Sequence, residues 1–64
     1  MSNELYLLLQ QALEREASID VPISKLQHLA GEDWLLELCT QAQKLNAIAE
    51  PHPQNLLYAR ITRQ

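Results

Sequence analysis

Cysteine, glycine, positive charge and long apolar runs are all scarce in this chain. The single cysteine, Cys39, cannot close an internal disulfide, and thiolates alone cannot hold a zinc ion here. One glycine and three prolines are too few for a flexible, low-complexity chain. No apolar run approaches the roughly 20 residues that a membrane span requires, so no membrane role is expected. The first residues, MSNELYLLLQQ, lack a basic n-region and a small-residue cleavage site, so they do not read as a signal peptide. A soluble cytoplasmic protein is the resulting expectation.

The usual marks of catalysis are missing as well. There is no Gly-rich phosphate loop, no nucleophile elbow and no carboxylate pair placed for a cleft. His28, Cys39 and His52 alone invite a catalytic or metal reading, and none has a local partner at metal-ligand spacing. Cys39 falls on the apolar phase of a helix and reads as a small buried hydrophobe. No catalytic residue, metal or cofactor is assigned, and a non-catalytic protein is expected.

Five basic residues stand against eight acidic ones, for a net charge of −3 and a pI near 5.1. DNA-binding domains usually carry a basic face, because phosphate neutralisation supplies most non-specific affinity. Residues 1–18 and 19–45 each sum to −2, while residues 46–64 sum to +1 through Arg60, Arg63 and Glu50. The positive end is the last third of the chain.

What is present fits one small domain over residues 1–64. The apolar fraction, 47%, is normal for a globular chain. A core this small supplies only about a few kcal/mol, unless a partner chain adds to it. Leu5, Leu8, Leu9, Ala12 and Leu13 fall at helical spacing and predict a first helix over 3–16, capped by Ser2 or Asn3. Tyr6 and Leu7 lie off that stripe, either at the edge of a wide core face or on a second apolar face. Ile19, Asp20 and Val21 alternate before Pro22 and predict a short strand that could add to a later hairpin. A second helix is expected over 24–30, with Ile23, Leu26 and Leu29 or Ala30 inward. Gly31 stands where the chain must turn.

The third helix should begin at Glu32 or Asp33 and reach residue 45. Leu35, Leu38, Cys39, Ala42 and Leu45 are its expected buried face. Asn46 suits a left-handed stop. Residues 47–50 and 56–62 are strand-like, with Pro51, Pro53, Gln54 and Asn55 turning between them. Leu57, Ala59 and Ile61 would share one strand face, and Tyr58, Arg60 and Thr62 the other. The expected class is therefore α+β, mostly helical: three helices and a two- or three-stranded antiparallel wing.

The order helix, short strand, helix, helix, two-stranded wing resembles the winged helix-turn-helix superfamily over nearly the whole chain. The segment AEPHPQNLLYARI is similar to the wing of the C-terminal winged helix of minichromosome-maintenance helicases, where a Glu-Pro-x-Pro stretch precedes the return strand. Here that stretch is Glu50-Pro51-His52-Pro53. Asn46 stands where that family has a glycine. The resemblance implies nucleic-acid machinery, used to grip DNA or to hold a protein.

The charges favour the second use. A DNA-reading third helix presents Ser, Thr, Arg, Lys or Asn to bases, whereas this one opens with Glu32 and Asp33 and adds Glu37. Its outer face is expected to offer Leu36, Glu37 and Thr40, with Trp34 at the border. Trp34 either plugs the gap between helices two and three or anchors a protein partner. Trp34, Leu36, Glu37, Thr40 and Tyr6 form the candidate partner-binding set, and a basic partner suits the acidic rim. The alternative is a homodimeric DNA-binding regulator gripping through Lys25, Lys44, Tyr58, Arg60 and Arg63, weakly and with steep salt dependence. A third reading, an acidic DNA mimic acting as an inhibitor, has few acids to work with. Apolar surface left over at Tyr6, Leu7, Trp34 and Leu36 also fits a homodimer.

Overall fold

Three leucines at i, i+4 and i+8 set the first element. Leu5, Leu9 and Leu13 are all buried on α1 (Asn3–Arg15) in the computed structural model, which describes residues 3–64. Glu4 in its first turn and Arg15 in its last oppose the helix dipole. The expected caps, Ser2 and the side chain of Asn3, lie outside the described residues.

The chain continues through β1 (Ser18–Pro22), α2 (Ile23–Ala30), a 3-10 turn (Gly31–Asp33), α3 (Trp34–Lys44), β2 (Ala47–Pro51) and β3 (Tyr58–Arg63). It is α+β and mostly helical, with one three-stranded antiparallel sheet. The strand order is β1-β3-β2, so the last strand is the central one. The register sets Ile19 opposite Ile61 and Val21 opposite Ala59, which puts these four on the inner face. Asp20, Glu50, Arg60 and Thr62 fall on the outer face by alternation. Val21, Ala47, Ala59 and Ile61 from the sheet close one core with Leu5, Leu9, Leu13, Leu26, Leu38 and Ala42 from the helices.

Two turns need special backbone. Gly31 ends α2 at φ 71° and ψ −148°, a region nearly reserved for glycine, and its N–H donates to the Gln27 carbonyl. A Cβ there would meet nothing within 4 Å, so torsion rather than space demands glycine. Asn46 ends α3 at φ 56° and leads into β2.

The buried face of α3 is rotated from the expected one. Leu38, Gln41 and Ala42 are buried, with Trp34 and Leu45 packed against the core. Leu35 is 42% exposed and Cys39 only half-buried. The run WLLELC offers apolar side chains in several phases, so its spacing alone permits either rotation. Seating Trp34 inward carries Gln41 in as well, and its amide donates to Glu37 Oε2 over 3.4 Å.

Leu57 is the second correction. It was expected inside with Ala59 and Ile61, yet β3 begins only at Tyr58, and Leu57 is 73% exposed. Asn55 explains the delay. Its side-chain oxygen accepts the Leu57 N–H at 3.0 Å, and its carbonyl accepts the Tyr58 N–H at 3.1 Å. That turn uses the backbone groups a longer strand would have paired. The Leu57 carbonyl instead accepts the Ile23 N–H at 2.9 Å. It thereby serves the start of α2, where Pro22 offers no side-chain cap.

Candidate interaction surfaces

The outer face of α3 follows from the rotation just described. With Leu38 and Ala42 inward, Leu36 is 69% exposed and Thr40 stands exposed one turn later. The Thr40 hydroxyl donates to the Leu36 carbonyl at 2.8 Å, so it is turned onto its own helix. Glu37 is half-buried and engaged with Gln41. Leu35, placed inside by periodicity, joins this surface from one flank. Glu32 and Asp33 are exposed in the 3-10 turn just before it. The result is two neighbouring leucines with acids at the N-terminal side.

The rest of the partner-binding set lies elsewhere. Trp34 is half-buried and packs on the core. Tyr6 is half-buried on α1, beside Leu7 at 49% exposure.

The basic residues do not form one patch. Lys25 is exposed on α2 and Lys44 is exposed at the last residue of α3. Tyr58 is half-buried at the start of β3. Arg60 and Arg63 are three positions apart on one strand and so point to opposite faces. Arg63 turns toward the helices, where its Nη1 donates to the Leu13 carbonyl at 2.7 Å. That carbonyl belongs to the last turn of α1, so Arg63 works there as a cap.

Arg60 lies on the outer sheet face between two acids. Its Nε donates to Asp20 Oδ1 at 3.2 Å, and Glu50 is its cross-strand neighbour on the other side. His52 completes this cluster. Its Nδ1 accepts the Gln54 N–H at 3.0 Å. Nε2 lies 3.5 Å from Asp20 Oδ2 and 2.9 Å from Arg60 Nη2. Both groups also converge on the Asp20 carboxylate. The arrangement is a closed charge cluster with its guanidinium already engaged. Among the described residues, no three His, Cys, Asp or Glu side chains gather to hold a metal ion. Nor is any described helix long and apolar enough to cross a membrane.

Sequence reasoning missed one surface, at the hairpin loop. Leu56 is 87% exposed and Leu57 73%. They border a groove of about 360 Å³ lined also by Pro22, Ile23, Gln27 and Tyr58. The available signal was Gln54-Asn55, whose turn chemistry extends past the prolines and keeps both leucines out of the strand. No protein-family model, curated protein or solved structure matches the chain.

Proposed function

We propose that this chain is a winged helix-turn-helix module that acts by binding a protein, in a nucleic-acid-related or regulatory process, through the outer face of α3. The element order and the sheet order β1-β3-β2 support the fold reading. One observation carries the functional reading. Where a DNA-reading helix would present donors to bases, α3 presents Leu35 and Leu36 beside Glu32, Asp33 and Glu37. Carboxylates repel phosphates, whereas an apolar pair with an acidic flank suits a basic protein surface. The DNA-regulator alternative has less to rest on, because Asp20 and the Leu13 carbonyl already occupy Arg60 and Arg63.

Two measurements test this. Anisotropy of labelled mixed-sequence duplex should show no binding even at about 20 mM salt, where charges are poorly screened. A photo-crosslinking residue placed at position 36 should give discrete protein adducts in cells, and Leu35→Asp in the same chain should abolish them. Salt-sensitive duplex binding, lost with Arg60→Ala and Arg63→Ala together, would instead establish the DNA-regulator reading.

A further inference from the structure

We infer that two copies of this chain pair through the outer face of α1, with the helices antiparallel and Glu4 of each copy meeting Arg15 of the other. Glu4, Leu8, Gln11 and Arg15 follow one another at steps of four, three and four residues, the spacing of a coiled-coil seam. Each residue turns the helix by about 100°, so these four lie within an arc of about 60°. That arc faces away from the buried stripe of Leu5, Leu9 and Leu13. Glu4, Gln11 and Arg15 are exposed, Leu7 beside them is 49% exposed, and Leu8 and Ala12 are half-buried. They border one open groove whose lining residues all belong to α1, so among the described residues no other element covers this face. The described salt bridges involve neither Glu4 nor Arg15.

The charges select the occupant. Glu4 and Arg15 stand at opposite ends of the seam, equally far from its middle, and Leu8 and Gln11 are likewise placed about that middle. A two-fold axis through the middle sets each Glu4 opposite the partner's Arg15, which gives two ion pairs in one contact. A parallel copy would instead set Glu4 against Glu4 and Arg15 against Arg15, and both pairs repel. A uniformly basic surface would meet Arg15, and a uniformly acidic one would meet Glu4. The complement of this face is an acid and a base about three turns apart in the reverse order. The same face turned end for end has that pattern. Between the charged ends, Leu8 lies beside the partner's Leu8 and the partner's Ala12, whose small side chain lets the helices approach. Gln11 lies beside the partner's Gln11, where the two amides can exchange hydrogen bonds. Leu7 and Glu14 flank the seam at its rim. A contact of about three turns falls below the roughly 1,200 Å² of a standard interface, so the pairing is weak, with a dissociation constant of about 100 µM. This face is on a different helix from the α3 surface, so the inference does not depend on the function proposed above.

Sedimentation equilibrium of the whole chain, from about 10 to about 500 µM, tests the pairing. The wild-type chain should shift from monomer toward dimer across that range. Glu4→Arg alone, or Arg15→Glu alone, turns both attractions into repulsions and should raise the dissociation constant about tenfold. An equimolar mixture of these two variants restores both ion pairs and should dimerise like the wild type. One chain carrying both changes should do the same. Each single change also works against the helix dipole, so far-UV circular dichroism accompanies the series. A helix that was merely weakened would not regain pairing on mixing. Leu36→Asp should dimerise like the wild type, which keeps failure here distinct from failure of the α3 reading. A wild-type chain that stays monomeric throughout, single variants that dimerise as well as the wild type, or a mixture that stays monomeric would each overturn the proposal.

Discussion

Leu38→Ala and Leu35→Ala delete the same atoms one helical turn apart, and the rotation of α3 makes their costs very different. Leu38 is fully buried. Its truncation removes the transfer energy of a leucine and leaves a cavity, together about 2–5 kcal/mol. A core of this size holds about 3–5 kcal/mol in all, so Leu38→Ala should lose most or all of its cooperative transition. Leu35 is 42% exposed. Full burial of a leucine is worth about 1.5–3 kcal/mol, so Leu35→Ala should cost about 1–1.5 kcal/mol. Leu36, 69% exposed, should cost under about 1 kcal/mol. Urea unfolding followed by far-UV circular dichroism and by Trp34 fluorescence reads all three. With a slope of about 1 kcal/mol per molar urea, Leu35→Ala should lower the midpoint by about 1 M. Equal losses for Leu35→Ala and Leu38→Ala would mean that α3 is packed in the other rotation, and that the leucine pair is not a surface.

Three further outcomes follow from backbone and charge. Gly31→Ala should cost about 1–3 kcal/mol from its torsion angles alone, and a cost near zero would show that the turn relaxes freely. Arg63→Ala should cost about 0.5–1.5 kcal/mol through the lost bond to the Leu13 carbonyl, and hydrogen exchange should rise first in the last turn of α1. A double-mutant cycle on Asp20→Ala and Arg60→Ala should give a coupling of about 0.2–1 kcal/mol, since both side chains are more than a third exposed. That coupling should shrink in high salt, and one that salt leaves unchanged would point away from an ion pair.

The parts of the fold that local chemistry controls could be read from the sequence. Leu5, Leu9 and Leu13 set the face of α1, and Gly31 and Asn46 fall where φ turns positive. The strand at Ile19–Val21 followed from alternation and from Pro22. Contacts across the chain decided the rest. Arg63 meets a carbonyl 50 residues earlier and Arg60 meets a carboxylate 40 residues earlier. No spacing rule ties those pairs together, so both arginines looked free. The face of α3 was ambiguous for another reason. Trp34, Leu35 and Leu36 span about 200° of the helix, and packing rather than periodicity chose among them. Leu57 was misplaced because a local Asn55 turn outcompeted strand propensity, which is the weaker force at the end of a hairpin.

The strand order has a consequence for synthesis. β3 lies between β1 and β2, so neither earlier strand has a sheet partner until residues 58–63 have been made. Ser18 must find Thr62, 44 positions later. On the ribosome, α1 would emerge with Leu5, Leu9 and Leu13 uncovered and no sheet to receive them. The sheet therefore forms only once residues 58–63 have emerged, and α1 waits longest of the three helices for it. Any stop codon or proteolytic cut before residue 58 would remove the whole sheet rather than one strand of it.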